Sequence, residues 1–240
     1  MCINYTPTRP ERMEHFKTHG RSMNAWNVEV WQDYDAPIIV HDADGNRQAL
    51  LGAYSMIPKS RMQPGVKRFS TMNARAETLG ALRSYAPSWH GGKLCLVPMQ
   101  NFFEPNYESG EAERWRIGLI EEPDFAVAGL YKEWPQEDGS VSYSFTQITI
   151  NADEHPLMKR FHKPGEEKRS LVIVPPEDFD DWLSCRDPEF ARAFLRPYPA
   201  ERMFGEFFPK PQVEKVARII KPKMPKKPQI IVPANLDLFD

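Results

Sequence analysis

Cys2 is the second residue of the chain, where a cysteine can have a chemistry that an internal cysteine lacks. If Met1 is removed, Cys2 carries a free α-amine beside its thiol, and the two form a 1,2-aminothiol. A free α-amine has a pKa of about 8, so a useful fraction is neutral and nucleophilic at neutral pH, and a thiol has a pKa of about 8.5. The amine can form an imine with an aldehyde, after which the thiolate closes a five-membered thiazolidine. The residue predicts aldehyde capture, although a small second residue also simply permits methionine removal.

Composition narrows the classes of protein that remain. The 240 residues are 41% hydrophobic and carry a net charge of -2, so a nucleic-acid binder would need local positive charge. The three cysteines, Cys2, Cys95 and Cys185, lack the paired spacing of a metal site or a disulfide framework. No segment predicts a signal peptide or a membrane span. We expect a cytoplasmic monomer without metal or cofactor, nucleoid-associated if bacterial.

The pattern of elements predicts an α+β fold. The 23 prolines indicate many short elements joined by structured loops. Apolar and aromatic runs predict strands over residues 26–40, 49–57, 94–103, 115–120, 125–131, 143–150 and 171–174. A turn is expected at Asp44-Gly45, and helices are expected over residues 74–85 and from residue 176. Strands and helices do not alternate along the chain, so the sequence does not indicate a parallel sheet.

Composition changes near Pro209. We therefore expect a catalytic domain over residues 1–208, followed by a basic, proline-rich tether over residues 209–240. The tether ends in apolar and acidic residues that are typical of a docking peptide, with Leu236, Leu238 and Phe239 as anchors.

Four segments together resemble one family. They are the initial MC, STMNARAETL at 70–79, LCLVPMQNFFEP at 94–105 and HPLMKRFHKP at 155–164. This combination is similar to the SOS-response-associated peptidase (SRAP) family. The resemblance implies a single α+β domain of curved, mainly antiparallel sheets with flanking helices. It also implies capture of abasic sites in single-stranded DNA through the processed cysteine, with lyase-type reversal. Met1 would be removed autoproteolytically or by an aminopeptidase.

The resemblance assigns the catalytic roles to Cys2, Asn73, Glu104 and His162. An abasic sugar is mostly a closed hemiacetal, so its opening needs a proton donor and a proton acceptor. Glu104 follows two phenylalanines, which would raise its pKa, although it could instead be an edge-strand carboxylate. Asn73 would hold the N-terminus and the sugar, or cap a helix.

His162 is one of six histidines. Its role comes from the resemblance, which makes His155 the histidine without a catalytic part. A metal site built from the two histidines and a carboxylate is an alternative, although their spacing fits no usual pair on a helix face.

Single-strand binding also needs a positive track and stacking surfaces. The candidates for DNA contact are Arg75, Asn4, Tyr54, Lys67, Arg68 and Lys163. Arg75 could bind phosphate or pair with Glu77 or Glu104. Aromatic residues, namely Tyr54, Phe69 and Trp89, could stack on bases or belong to the core.

The chain departs from the family pattern around these contacts. Ile3-Asn4 replaces the usual glycine-arginine, Ser60 replaces a tryptophan, and Pro105 follows the glutamate where tryptophan is usual. Two other functions therefore stay open, a thiol peptidase and a non-covalent single-strand binder. The terminal peptide resembles those by which bacterial repair proteins bind the DNA sliding clamp, and in a eukaryote it would also fit a clathrin-type docking peptide.

Overall fold

Strands dominate the computed structural model, which describes residues 4–19 and 25–210. Eleven strands lie in these ranges: β1 (Tyr5–Pro7), β2 (Asp35–His41), β3 (Arg47–Tyr54), β4 (Asn73–Arg75), β5 (Leu94–Asn106), β6 (Glu113–Leu119), β7 (Phe125–Pro135), β8 (Val141–Asn151), β9 (Arg169–Leu171), β10 (Ile173–Val174) and β11 (Met203–Phe207). The described helices are short: α1 (Ala86–His90), α2 (Phe179–Ser184) and α3 (Pro188–Ala191), with 3-10 turns at Pro10–Phe16, Lys59–Arg61, Met158–Arg160, Pro176–Asp178, Arg192–Phe194 and Ala200–Arg202. The predicted α+β class is confirmed.

Five strands close into a barrel. Around the ring, β2 pairs with β3, β3 with β8, β8 with β7, β7 with β5, and β5 returns to β2 through Ile39 and Leu96. The β3–β8 contact is parallel and the other four are antiparallel. Strand β5 extends beyond the ring, where it pairs with β1 and β6, and β11 adds to β6. The long β5 therefore carries its last residues out of the barrel and into the region of the candidate site.

Both faces of the barrel strands are buried, because successive side chains point to opposite faces. Along β5, Cys95 and Val97 join one apolar cluster, whereas Leu94 and Leu96 join the other. The second cluster also holds Trp182 of α2, so that face packs against the helices. The first cluster consequently lies inside the barrel.

Strands and turns largely follow the predicted pattern. Gly45 has φ +81° in the turn between β2 and β3, a conformation that glycine adopts without strain. The first predicted strand is too long, since regular pairing begins only at Asp35.

The predicted helix over residues 74–85 is wrong. Asn73–Arg75 instead forms β4, which pairs in parallel with β8. The chain then turns, with the amides of Thr78 and Leu79 bonded to the carbonyl of Arg75, and an α-helix begins only at Ala86. Sheet pairing has overridden a local preference for helix.

Residues 1–3, 20–24 and 211–240 lie outside the described ranges. Cys2 is among them, as are the tether and its anchors, Leu236, Leu238 and Phe239. The division of the chain after residue 208 stays a prediction. Within the described ranges, no helix is both long and apolar enough to cross a membrane.

Candidate active site

Glu104 is a buried acid near the end of β5. It is only 4% exposed and lies opposite Trp115 of β6. Burial penalises the charged carboxylate, which raises the pKa of Glu104 to about 7. The carboxyl group can therefore hold a proton at neutral pH and donate it.

His162 is positioned by its backbone. Its φ of 67° lies in the left-handed region, which residues other than glycine rarely adopt. The amide of His162 donates to the carbonyl of Pro105 at 2.8 Å, and its own carbonyl accepts from Nζ of Lys168 at 3.1 Å. These bonds hold the segment that carries His162 beside the end of β5, and they stabilise its strained backbone conformation.

The two side chains meet. Nε2 of His162 lies 3.3 Å from Oε2 of Glu104, and both residues are buried. Burial disfavours the imidazolium and lowers the pKa of His162 to about 4. Near neutral pH the pair therefore offers a carboxylic acid and a neutral imidazole, which are the donor and acceptor that acid–base catalysis requires.

His155 has a structural part. Its Nδ1 accepts from the amides of Leu157 and Met158 at 3.2 and 3.0 Å, so Nε2 must carry the proton. Nε2 donates to the carbonyl of Tyr198 at 2.8 Å. Because both ring nitrogens are engaged within the fold, His155 has no lone pair left for a metal, which argues against the metal alternative.

The first described residues of the chain lie beside Glu104. The amide of Phe103 donates to the carbonyl of Asn4 at 3.3 Å, and Nδ2 of Asn4 donates to Glu29. Glu29 also accepts from Arg114 at 2.8 Å. This cluster anchors the strand that follows the N-terminus to the strand that carries the acid.

Asn73 connects to the same region through the barrel interior. It lies opposite Gln147 of β8, whose Oε1 accepts from the hydroxyl of Tyr54 at 3.0 Å. The ring of Tyr54 packs edge-on against Tyr5 at 5.3 Å, and Tyr5 pairs with Phe102 of β5. These contacts link the strand of Asn73 to the strand of Glu104.

Comparison with known proteins identifies the family. A family model described as "SOS response associated peptidase (SRAP)" matches residues 1–208. The chain belongs to the SRAP family. This confirms the resemblance found in the sequence.

Individual relatives and solved structures agree. The chain is 30% identical over 194 residues to "Abasic site processing protein YobE" of Bacillus subtilis, covering 80% of this chain and 83% of that protein. It is 23% identical over 187 residues to "Abasic site processing protein HMCES" of Gallus gallus, covering 69% of this chain and 54% of that protein. A crystal structure of a Bordetella bronchiseptica protein superposes with a TM-score of 0.76 at 30% identity, covering 86% of this chain and 99% of that one.

Four charged residues of this SRAP chain form a network that sequence analysis missed. Arg169 is only 2% exposed, and its guanidinium donates to Glu77, to Glu167 and to the carbonyl of Thr149. Glu167 also accepts from Arg75 at 2.6 Å. Arg75 therefore pairs with Glu167 rather than with Glu77 or Glu104. The only hint in the sequence was an arginine preceding an apolar strand.

Two residues expected to contact DNA are buried. Tyr54 is fully buried and stacks on Phe145 at 5.3 Å, so it offers no face to a base. Asn4 is also buried, with its amide directed to Glu29. Trp89 lies in the core as well. The period-2 pattern of a strand does not tell a barrel interior from an exterior, which explains the burial of Tyr54 on β3.

The remaining candidates lie on the surface. Lys67, Arg68 and Lys163 are exposed, as is the ring of Phe69. Arg68 donates to Asp33 at 2.6 Å. The segment 67–69 thus places two cationic side chains next to an exposed aromatic ring, a combination that suits single-stranded nucleic acid.

Proposed function

We propose that this protein captures abasic sites in single-stranded DNA through a covalent bond to Cys2. The observation that carries the proposal is the buried Glu104–His162 pair, 3.3 Å apart, next to the strand that follows the N-terminus. The relatives named abasic site processing proteins support the substrate class.

Covalent reach supports the part given to Cys2. It precedes Asn4 by two residues, and Asn4 is held by the amide of Phe103, the neighbour of Glu104. Two residues of extended chain span at most about 7 Å. A processed N-terminus can thus bring its aminothiol to the acid–base pair.

The reaction then proceeds by proton transfers that the pair can perform. The sugar hemiacetal opens when its ring oxygen accepts a proton and its anomeric hydroxyl loses one, which gives the aldehyde. The α-amine of Cys2 adds to that carbon, and the aldehyde oxygen leaves as water after protonation by Glu104. The thiolate adds to the imine carbon and the imine nitrogen takes up a proton. One C–N and one C–S bond form and one water is released.

DNA would be held mainly by charge around this centre. We assign phosphate contacts to Arg75, Lys67, Arg68 and Lys163, and we assign to Asn73 the positioning of the N-terminus and the sugar. Such contacts are independent of sequence and make affinity depend on salt. Removal of Met1 by the protein itself, reversal of the crosslink, and binding of a sliding clamp through Leu236, Leu238 and Phe239 belong to the same proposal.

The test is a denaturing gel with labelled single-stranded DNA that carries one abasic site. Wild-type protein, whose N-terminal mass confirms loss of Met1, should give a heat-stable shifted band. Undamaged DNA and Cys2→Ala should give none. Binding without a band from processed wild type would defeat covalent capture and favour the non-covalent binder.

The same proteins also test the alternative function, a thiol peptidase. It would cleave peptide substrates in a Cys2-dependent manner and would leave abasic DNA unmodified. Cys2→Ser sharpens the comparison, because it keeps the amine for an imine that borohydride can trap but lacks the thiol that closes the stable ring.

A further inference from the structure

A row of three side chains crosses strands β5, β6 and β11. Glu104 lies opposite Trp115, and Trp115 lies opposite Phe207. Opposed residues of antiparallel strands project from the same face of a sheet. Trp115 and Phe207, which we call the aromatic strip, therefore lead outward from the buried acid on its own face of the sheet.

A glycine on β11 allows this strand to pack closely against the segment that carries His162. Gly205 precedes Phe207 by two residues and so shares its face. A Cβ at Gly205 would lie 3.1 Å from Cζ of Phe161, which directly precedes His162. The ring of Phe161 also lies 6.0 Å from that of Trp115. The aromatic strip therefore adjoins both members of the acid–base pair.

The outer ring of the strip is open to solvent. Phe207 is 55% exposed. By contrast, its neighbour Phe208 on the opposite face lies beneath the guanidinium of Arg116, with 4.6 Å from Cζ to the ring centroid. Among residues 4–19 and 25–210, no cationic group or aromatic ring packs against Phe207. Phe208 is 36% exposed and is partly covered by this guanidinium, whereas Phe207 presents an open apolar face.

An arginine in an ion pair borders the strip. Cζ of Arg160 lies 5.5 Å from the ring centroid of Trp115, and Arg160 is held by two bonds to Glu108, at 2.8 and 2.7 Å. Aromatic faces beside arginine are the surfaces on which bases of single-stranded DNA stack. A folded protein partner would need a larger apolar patch than one exposed ring.

We infer that the aromatic strip is the stacking subsite for the nucleobase next to the lesion, with Phe207 as its outer platform. Phe207 lies two strand spacings from Glu104, or about 10 Å, which is on the scale of a neighbouring nucleotide. This inference rests on the proposed function for its substrate class, and it adds the residue that would hold the flanking base.

The test uses DNA that cannot react. A single strand with a tetrahydrofuran site has no aldehyde, so its binding is independent of Cys2. We expect Phe207→Ala to weaken this binding about 5-fold or more, the lower end of what loss of one stacked base costs. Phe190→Ala is the matched control, since Phe190 on α3 is 69% exposed and should leave binding unchanged.

Removal of the flanking base from the DNA, combined with Phe207→Ala, completes a double-mutant cycle. When the base on one side of the tetrahydrofuran site is replaced by a second tetrahydrofuran, wild type should lose the same factor and Phe207→Ala should lose nothing more. The other side should show no such dependence. Phe207→Trp should bind as tightly as wild type. The fluorescence of 2-aminopurine placed at the flanking base should be quenched by wild type and not by Phe207→Ala.

Three results would overturn the inference: equal binding by wild type and Phe207→Ala, a loss that persists when the flanking base is absent, or 2-aminopurine quenching without Phe207. A thermal midpoint equal to that of wild type shows that Phe207→Ala is folded. If the stacking cycle holds but wild type never crosslinks to a true abasic site, the proposed function fails and the subsite stands.

Discussion

Nε2 of His162 lies 3.3 Å from Oε2 of Glu104, although the two residues belong to distant parts of the chain. Burial shifts their pKa values in opposite directions, upward for the acid and downward for the imidazole. Titratable neighbours whose environments separate their pKa values in this way are typical of an acid and a base with different tasks. The pair can move protons without either member carrying a full charge at neutral pH.

Glu104→Gln should slow crosslink formation. Glutamine keeps the shape of the side chain but cannot donate a carboxyl proton, and loss of a general acid costs about 10²- to 10⁴-fold. Wild-type rates should rise with pH as the α-amine loses its proton and then fall above about pH 7, where Glu104 loses its own. The falling limb should vanish in Glu104→Gln. Rates of band formation at saturating protein across this range measure both effects, and a variant within about 3-fold of wild type would contradict the role.

The same substitution should change how stability depends on pH. The pKa of Glu104 is higher in the folded protein, about 7 against 4.5, so folding favours its neutral form. That contribution is fully present below about pH 4.5 and is lost as pH rises through about 7. Glu104→Gln should therefore be more stable than wild type above pH 7, by at most about 3 kcal/mol. Urea unfolding at several pH values measures this, and a difference that shrinks as pH rises would contradict it.

Substitutions of His162 should separate its backbone from its imidazole. Asparagine tolerates the left-handed conformation, so His162→Asn should fold with little loss while crosslinking slows. His162→Val should in addition lose about 1–2 kcal/mol, because a β-branched residue is strained at φ 67°. Thermal unfolding and crosslinking rates of the two variants test this. Equal stability of both would show that the strain is unimportant.

Glu77 lies in the segment of residues 70–79 that resembles the SRAP family. We nevertheless expect Glu77→Ala to lower the stability of the fold. Its carboxylate pairs with the buried Arg169, and a buried cation that loses a partner costs about 1–3 kcal/mol. Arg75→Ala removes a more exposed ion pair to Glu167 and should cost less than about 1 kcal/mol. Urea midpoints rank the two, and Arg75→Ala should also reduce the salt dependence of DNA binding. A larger loss of stability from Arg75→Ala would reverse our assignment.

Much of the fold follows from local pattern, whereas its closure does not. Alternating apolar residues predict most strands, and Asp44-Gly45 predicts their first turn. Closure depends on pairing between distant strands, such as the parallel contact of Gly52 with Tyr143, which no local signal announces. No local signal predicts the strand at Asn73–Arg75 either, since its partner β8 lies more than 70 residues away.

The site was predictable where it rests on motifs and obscure where it rests on packing. Glu104 and His162 were identified through family resemblance, and the structure brings them together. Tyr54 has the composition of a stacking residue but lies inside the barrel. Arg169 and the aromatic strip emerged only from three-dimensional neighbours, because the register between β5, β6 and β11 cannot be read from the sequence.

The most direct test of the central claim is the mass of the N-terminal peptide after crosslinking. Trypsin should release the peptide of residues 2–12, since Pro10 protects the bond after Arg9. After nuclease digestion, we predict that this peptide carries the sugar remnant with loss of one water, that fragmentation places it on Cys2, and that no free thiol remains there. An adduct on a lysine, or an unmodified peptide in a sample that gives a shifted band, would contradict capture by the N-terminal cysteine.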